Sequence, residues 1–162
     1  MPIRKHPRLK TYDYSSYGAY FVTICTFQKK KILSEIVGRG LAPAKVSLTN
    51  YGSIVQEELL DLEKRYPSLE IEYYVIMPNH IHIIFLLKND VAGASPRPTL
   101  MDIVCTLKSL AARKCKQAGY VQKVFQDSFY EHIIRNRHDY DEIANYICSN
   151  PERWNSDRFY TE

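Results

Sequence analysis

The sequence predicts an α+β sandwich in which helices pack on a central antiparallel β-sheet. Three observations carry that reading. Short runs of β-branched and aromatic residues bounded by turn residues mark strands. Two longer stretches repeat apolar residues every three or four positions, as amphipathic helices do. These patterns follow one another as strand, helix, two strands, helix, strand, with one more helix at the end. The length of 162 residues fits one domain covering residues 1–162. A chain of this size buries roughly two-thirds of its unfolded surface, enough for a core without disulfides or metal. Hydrophobic residues make up 45% and charged residues 25%, a balance that excludes intrinsic disorder for the body of the chain.

Residues 1–18 are polar and basic and read as an N-terminal arm. Ala19 to Phe27 (AYFVTICTF) is rich in β-branched and aromatic residues and predicts a strand. The stretch from Gly38 to Pro43 is punctuated like a loop. From Thr49 to Tyr66, the residues Tyr51, Val55, Leu59 and Leu62 form a buried helical stripe, with Glu57, Glu58, Asp61 and Lys64 outside it, until Pro67 stops the helix. Leu69 to Ile76 and His80 to Leu87 are strands joined by the turn Met77-Pro78-Asn79, a hairpin expected at the sheet centre. Residues 88–98 contain glycine, serine and two prolines and read as a surface loop.

Thr99 with Asp102 resembles a capping box opening a helix to Gly119. Its buried stripe is Ile103, Leu107, Leu110 and Ala111, and Lys108, Arg113, Lys114 and Lys116 fall on the exposed side. Val121 to Arg135 reads as one or two strand-like pieces. Asp139 and Glu142 cap a last helix that ends at Ser149, before Pro151. The β-α-ββ-α-β order is that of a ferredoxin-like sandwich.

No run of about 18 apolar residues exists, and the basic N-terminus is not followed by the apolar stretch of a secretory signal. Cys25, Cys105, Cys115 and Cys148 lie far apart with no C-x-x-C pair; they are expected as reduced, mostly buried thiols of a cytoplasmic protein that does not enter a membrane. The net charge of +4 is unevenly spread. Residues 1–31 carry seven Lys/Arg against one acid, and residues 99–137 seven against three. The last 25 residues carry two against six. The basic segments either converge on one face and attract phosphates or are simply a solvated surface. Thirteen tyrosines against one tryptophan suit wet surfaces and nucleobases as well as core rims.

The chemistry concentrates in two places. In His80-Ile81-His82 the strand period of two points both imidazoles to one face, within reach of one metal ion, while Ile81, Ile83, Phe85 and Leu87 line the other. The alternative is a pair of histidines hydrogen-bonded at the end of a strand. On the last helix Glu142, Tyr146 and Asn150 line one side, next to an apolar stripe of Tyr140, Ile143 and Ile147. A phenol beside a cation can act as a nucleophile, because positive charge favours phenolate, and a carboxamide oxygen can ligate a metal. Equally, Tyr146 reads as a core-rim residue and Asn150 as a helix C-cap.

MPNHIHIIF (77–85), FYEHIIRN (129–136) and NYICSNP (145–151) together resemble the single-tyrosine HUH transposases, and among them the REP-associated tyrosine transposases. The resemblance spans nearly the whole chain. It departs at Phe125, where relatives usually carry tryptophan, and in the loop around 88–98. It implies a single-strand DNA endonuclease and strand transferase. His80, His82 and Asn150 would hold one Mg²⁺ or Mn²⁺, and Tyr146, on a catalytic helix at 138–150, would attack the scissile phosphorus to give a 5′-phosphotyrosine. The implied substrate is single-stranded DNA near a hairpin, and the resemblance leaves open a monomer or a homodimer that exchanges its tyrosine helices. Arg4, Lys5, Arg8 and Lys10 in the arm, Lys108, Arg113 and Lys114 on the second helix, and Arg135 are candidate DNA contacts. Other readings are a hairpin-binding module that does not cut, and a phosphodiesterase in which water attacks. A zinc site built from His80, His82, His132 and a cysteine has no recognisable spacing.

Overall fold

A computed structural model describes residues 18–38, 43–88 and 98–161. Of the expected N-terminal arm (1–18), residues 1–17, with Arg4, Lys5, Arg8 and Lys10, lie outside the described residues, as does most of the loop around 88–98, and Gly18 belongs to the first strand. Strand β1 covers Gly18–Cys25, β2 Ser34–Val37, β3 Lys45–Leu48, β4 Leu69–Ile76, β5 His80–Leu87 and β6 Tyr130–Ile134. Helix α1 covers Asn50–Arg65, α2 Leu100–Gln117 and α3 Arg137–Ser149. The main sheet has the order β4-β5-β1-β6, and its strands are antiparallel throughout. This is the predicted α+β, ferredoxin-like arrangement.

The alternation of β5 sets the layers. Ile81, Ile83, Phe85 and Leu87 are buried in the main core with Tyr20, Val22 and Ile24 of β1, Val55, Leu59 and Leu62 of α1, and Ile103, Val104 and Leu107 of α2. The opposite face presents His80, His82 and Ile84. There Ile84 packs with Ala144 and Ile147 of α3, flanked by Phe21, Tyr140 and Ile143. The sheet is therefore covered by α1 and α2 on one side and by α3 on the other.

Several details differ from the sequence reading. The β4–β5 hairpin does not fill the sheet centre: β5 and β1 are central and β4 is an edge strand. The first strand stops at Cys25, because Gln28 and Lys29 adopt left-handed backbone (φ 56° and 53°) in a 3₁₀ turn at Phe27–Lys29. A small β2–β3 hairpin, a separate two-stranded sheet, flanks the loop predicted around 38–43. The cap of α3 is Asn136, whose Oδ1 accepts the Asp139 backbone N–H at 2.8 Å, rather than Asp139 or Glu142. Glu58, expected on the outside of α1, is buried and meets Lys114 of α2, so Lys114 serves an interhelical ion pair. Of the four free cysteines, Cys25 and Cys115 are buried whereas Cys105 and Cys148 are exposed.

The capping box of α2 is present as predicted, with Thr99 Oγ1 accepting from Asp102 N and Asp102 accepting from Thr99 N. Phe125 is buried in the main core and forms a bridge to Thr26, so the departure there concerns packing.

Gly52 in the first turn of α1 permits a close approach: a Cβ at this position would lie 1.9 Å from the backbone oxygen of Leu33. Because that neighbour is backbone, the chain must shift to accept a methyl group. Gly52→Ala is expected to cost about 1–3 kcal/mol, the range for overpacking, measured as a lowered urea midpoint; an unchanged midpoint would refute this contact.

Candidate active site

His80 and His82 are fully buried on the α3 face of β5, with ring centroids 4.5 Å apart. Burying two imidazoles costs free energy unless each finds partners. His80 Nδ1 lies 2.8 Å from Asn79 Oδ1. The Asn79 amide is oriented by its own Nδ2, which donates to the carbonyls of Phe159 (2.7 Å) and Lys29 (3.3 Å). Asn79 Oδ1 is therefore the acceptor, His80 Nδ1 carries the proton, and His80 Nε2 presents a lone pair. His82 Nδ1 lies 2.8 Å from Thr23 Oγ1, its cross-strand partner on β1. The threonine hydroxyl can donate or accept, so a cation at Nε2 would select the Nδ1–H form of His82.

Helix α3 brings Tyr146 across this face. Its ring centroid is 5.2 Å from that of His82 and it meets Phe21 edge-on at 6.4 Å. Tyr140, Ile143, Ala144 and Ile147 hold the helix down through Ile84, Phe21, Val75 and Ile134. Asn150 occupies the C-cap position of α3, and its side chain is buried beside Asp157.

After Pro151 the chain turns back through a 3₁₀ turn at Trp154–Ser156. This segment supplies what the sequence reading missed. Asp157, with its side chain 1% exposed, accepts Asn150 Nδ2 at Oδ2 and the Phe159 backbone N–H at Oδ1, each at 2.7 Å. Its Oδ2 lies 4.0 Å from His80 Nε2. The Phe159 ring packs against His80 at 4.5 Å and Trp154 lies 6.1 Å away, so aromatic surface shields the imidazole from water.

Five buried side-chain polar atoms lack a hydrogen-bond partner among the described residues, and three of them are His80 Nε2, His82 Nε2 and Asn150 Oδ1. Unsatisfied buried acceptors are rare, and a cluster of them calls for a missing partner. His80, His82 and Asp157 could hold a metal ion: one ligand atom from each lies within 4.8 Å of the others. Nitrogen and oxygen donors with no thiolate fit a divalent cation of intermediate or hard character. Burial holds His82 well below the ordinary histidine range, with the His80 ring adding to the effect. Burial likewise pulls His80 down to about 4, against the opposing charge of Asp157, and Arg158 and Lys29 push it further. Both rings are thus neutral near pH 7, the form that binds metal. Burial, then Asp157, raises the pKa of the Tyr146 phenol, so the free chain holds it protonated.

The remaining candidates are spread out. His132 is tied to Asp139 at 2.7 Å on the surface and takes no part in the cluster. Lys108 Nζ donates to the backbone carbonyls of Gln126 and Asp127. With Arg113, Lys116 and Lys123 it lines a groove of about 600 Å³ between α2 and residues 121–127. That segment joins the sheet near the histidines, since Gln126 N donates to the carbonyl of Cys25, the partner of His80. Arg135 is exposed just beyond β6. Tyr130 pairs with Thr23, level with His82, so the strand rise puts Arg135 roughly 17 Å further along the sheet. The structure does not bring Arg135 to the site. No helix among the described residues is long and apolar enough to cross a membrane.

This fold is shared with solved structures. A REP-associated tyrosine transposase bound to a REP hairpin superimposes with a TM-score of 0.61, at 22% identity over 89% of this chain and 72% of that one. A Deinococcus radiodurans protein provisionally described as a transposase gives a TM-score of 0.50, at 18% identity over 88% of this chain and 95% of that one. No family model matches the sequence. The α+β fold expected from the resemblance is the fold of these two structures. The chain belongs to the family of an uncharacterized protein of Haemophilus influenzae, 30% identical over 174 aligned positions that cover 98% of this chain and 94% of that one.

Neutral buried histidines give the fold a pH dependence. The unfolded chain takes up protons on His80 and His82 near pH 6.5, whereas the folded chain refuses them until about pH 4 for His80 and well below 6.5 for His82. The unfolded state binds more protons in that window, so stability is complete above about pH 6.5 and falls as pH drops toward 4. His80 alone accounts for a change on the order of 3 kcal/mol. A His80→Gln/His82→Gln double variant is expected to flatten the urea midpoint between pH about 7 and 4.5 in metal-free buffer; curves parallel to wild type would contradict neutral buried rings.

Proposed function

We propose that the protein is a single-strand DNA endonuclease and strand transferase, dependent on Mg²⁺ or Mn²⁺, that acts at hairpin-associated sites through a 5′-phosphotyrosine on Tyr146. One observation carries this reading: three buried polar atoms with no hydrogen-bond partner, His80 Nε2, His82 Nε2 and Asn150 Oδ1, gather beside the ring of Tyr146. Residues 1–162 are taken as one such domain.

His80, His82 and Asn150 would hold the cation, through His80 Nε2, His82 Nε2 and Asn150 Oδ1. When bound, the ion supplies positive charge that stabilises both phenolate and the crowded phosphorus of the transition state. The protein's own groups do the rest. Asn79 and Thr23 fix the ring planes and Nδ1 partners of the two histidines, as outer partners of ligating histidines commonly do. Phe21, Phe159 and Trp154 wall off water, which favours attack by the phenol over attack by solvent. Tyr146 Oη forms the new P–O bond while the 3′-oxygen of the upstream strand leaves. The phenol gives up one proton and the departing oxygen gains one, so the exchange is balanced and needs no nucleotide cofactor. Attack by another 3′-hydroxyl on the phosphotyrosine reverses the step and joins strands.

Tyr146 reaches the histidines within one chain, so the site can form without exchange of α3 between subunits. The basic groove with Lys108 and Arg113, Arg135 at the other end of β6, and the arm residues Arg4, Lys5 and Arg8 are proposed to bind the DNA backbone outside the catalytic centre. The solved transposase with a bound REP hairpin supports a hairpin as the substrate element.

The test uses hairpin DNA with a single-stranded flank, labelled at its 3′ end, incubated with Mn²⁺ and run on a denaturing gel. Wild type is expected to yield a protein-linked labelled fragment that disappears with EDTA. Tyr146→Phe is expected to abolish the adduct while keeping hairpin affinity. His80→Ala is expected to reduce it by about 100-fold or more, the scale for removing a preorganised electrostatic group. Cleavage that persists in Tyr146→Phe would mean that water attacks. Hairpin binding with no cleavage by wild type would mean a binding module.

A further inference from the structure

Asp157 is a buried carboxylate that faces another acceptor. Its Oδ2 is 4.0 Å from His80 Nε2, too far for a hydrogen bond. The Asn79 contact has already placed the His80 proton on Nδ1, so two lone pairs oppose each other in an interior site. Asn150 is in the same position: its Nδ2 donates to Asp157 Oδ2, which leaves Asn150 Oδ1 as a buried acceptor with no donor. Acceptors turned toward one another across about 4 Å are the arrangement that a cation relieves. We propose that Asp157 is a fourth protein ligand of the divalent cation, binding it through Oδ2 alongside His80, His82 and Asn150. The inference rests on the cation-dependent reading above and extends it to the segment after Pro151.

The chemistry favours this role. Two imidazoles and a carboxamide form a neutral ligand set, better suited to Zn²⁺ than to Mg²⁺ or Mn²⁺, which prefer oxygen. A carboxylate shifts the balance toward the harder ions. It also leaves the centre with net positive charge for a phosphate. Asp157 Oδ2 has a second lone pair beyond the one used by Asn150, so it can keep that contact while ligating. Asp157 Oδ1 is held by the Phe159 backbone N–H at 2.7 Å, which fixes the carboxylate plane.

The test is cation affinity, read by calorimetric titration of the full-length chain with MnCl₂ and, separately, ZnCl₂, with no DNA present. Asp157→Asn keeps the size of the side chain and an oxygen for Asn150. It is expected to weaken Mn²⁺ binding by about 10- to 100-fold and Zn²⁺ binding by clearly less, whereas the exposed Asp127→Asn changes neither. A ligand and a mere support for Asn150 are separated by a double-variant cycle. In an Asn150→Ala background, Asp157→Asn still costs its full factor if Asp157 ligates, and costs nothing further if it acts only through Asn150. Should the variants fold poorly, wild type labelled with ¹³C-aspartate and loaded with Mn²⁺ gives an independent readout. Electron–nuclear double resonance then detects a strongly coupled carboxylate carbon if Asp157 ligates. Wild-type Mn²⁺ binding with no effect of Asp157→Asn and no coupled carboxylate overturns this proposal and leaves the cation-dependent reading standing. Absence of Mn²⁺ binding by wild type overturns both.

Discussion

Two buried imidazoles side by side on a central strand are the constraint around which this structure is arranged. A strand that spends alternate positions on histidine gives up hydrophobic burial on part of one face, and β5 does so at His80 and His82 while keeping Ile84 on that face and four apolar residues on the other. The sheet tolerates this because each ring is held from behind. Thr23 meets His82 through the antiparallel register of β1, and Asn79 meets His80 from the turn that starts β5. Asn79 in turn is fixed by the carbonyls of Lys29 and Phe159. The left-handed residues Gln28 and Lys29, a conformation that costs roughly 1–2 kcal/mol per residue, bring one of those carbonyls into place. The turn thus supplies the longer of the two contacts that orient Asn79, beside the shorter one from Phe159.

Most of the sheet and both large helices were legible in the sequence, for identifiable reasons. Leu69–Ile76 and His80–Leu87 appear at their expected limits, because Pro67, Pro78 and Asn79 punctuate uninterrupted β-forming runs. The α2 capping box is a local contact that depends only on Thr99 and Asp102. What the sequence hid is non-local. Glu58 is polar and lies beside an apolar stripe, and only the approach of Lys114 from another helix makes its burial tolerable. The β2–β3 hairpin is short and surrounds a loop-like stretch, too brief for alternation to register.

The site divides along the same line. Strand and helix periods put His80 with His82 and Tyr146 with Asn150 on defined faces, the family resemblance joined the two pairs into one site, and the structure brings all four to one side of the sheet. Asp157 was not readable. It belongs to an acidic, aperiodic stretch after Pro151, where a carboxylate is ordinarily solvated, and nothing in the spacing marks it. Its position depends on the 3₁₀ turn at Trp154–Ser156 and on Phe159 packing against His80. The aromatic residues of that tail, Trp154 and Phe159, offered the one available signal: large apolar side chains in a polar segment must be buried against something.

The same burial that orders the site also restrains it. In the free chain, burial and the charge of Asp157 keep the Tyr146 phenol protonated, and burial keeps both histidines neutral. A protonated phenol is a weak nucleophile, so the protein alone is poorly armed against phosphodiesters. A cation held by the unpartnered acceptors would use the neutral imidazoles as ligands, offset the carboxylate and favour phenolate. The features of the cluster that cost stability, desolvated polar atoms without partners, are the ones that would make cation binding favourable. Three of the five unpartnered buried atoms among the described residues thus lie in the cluster beside Tyr146, so the proposed nucleophile and the charge that would activate it would be coupled through one small volume.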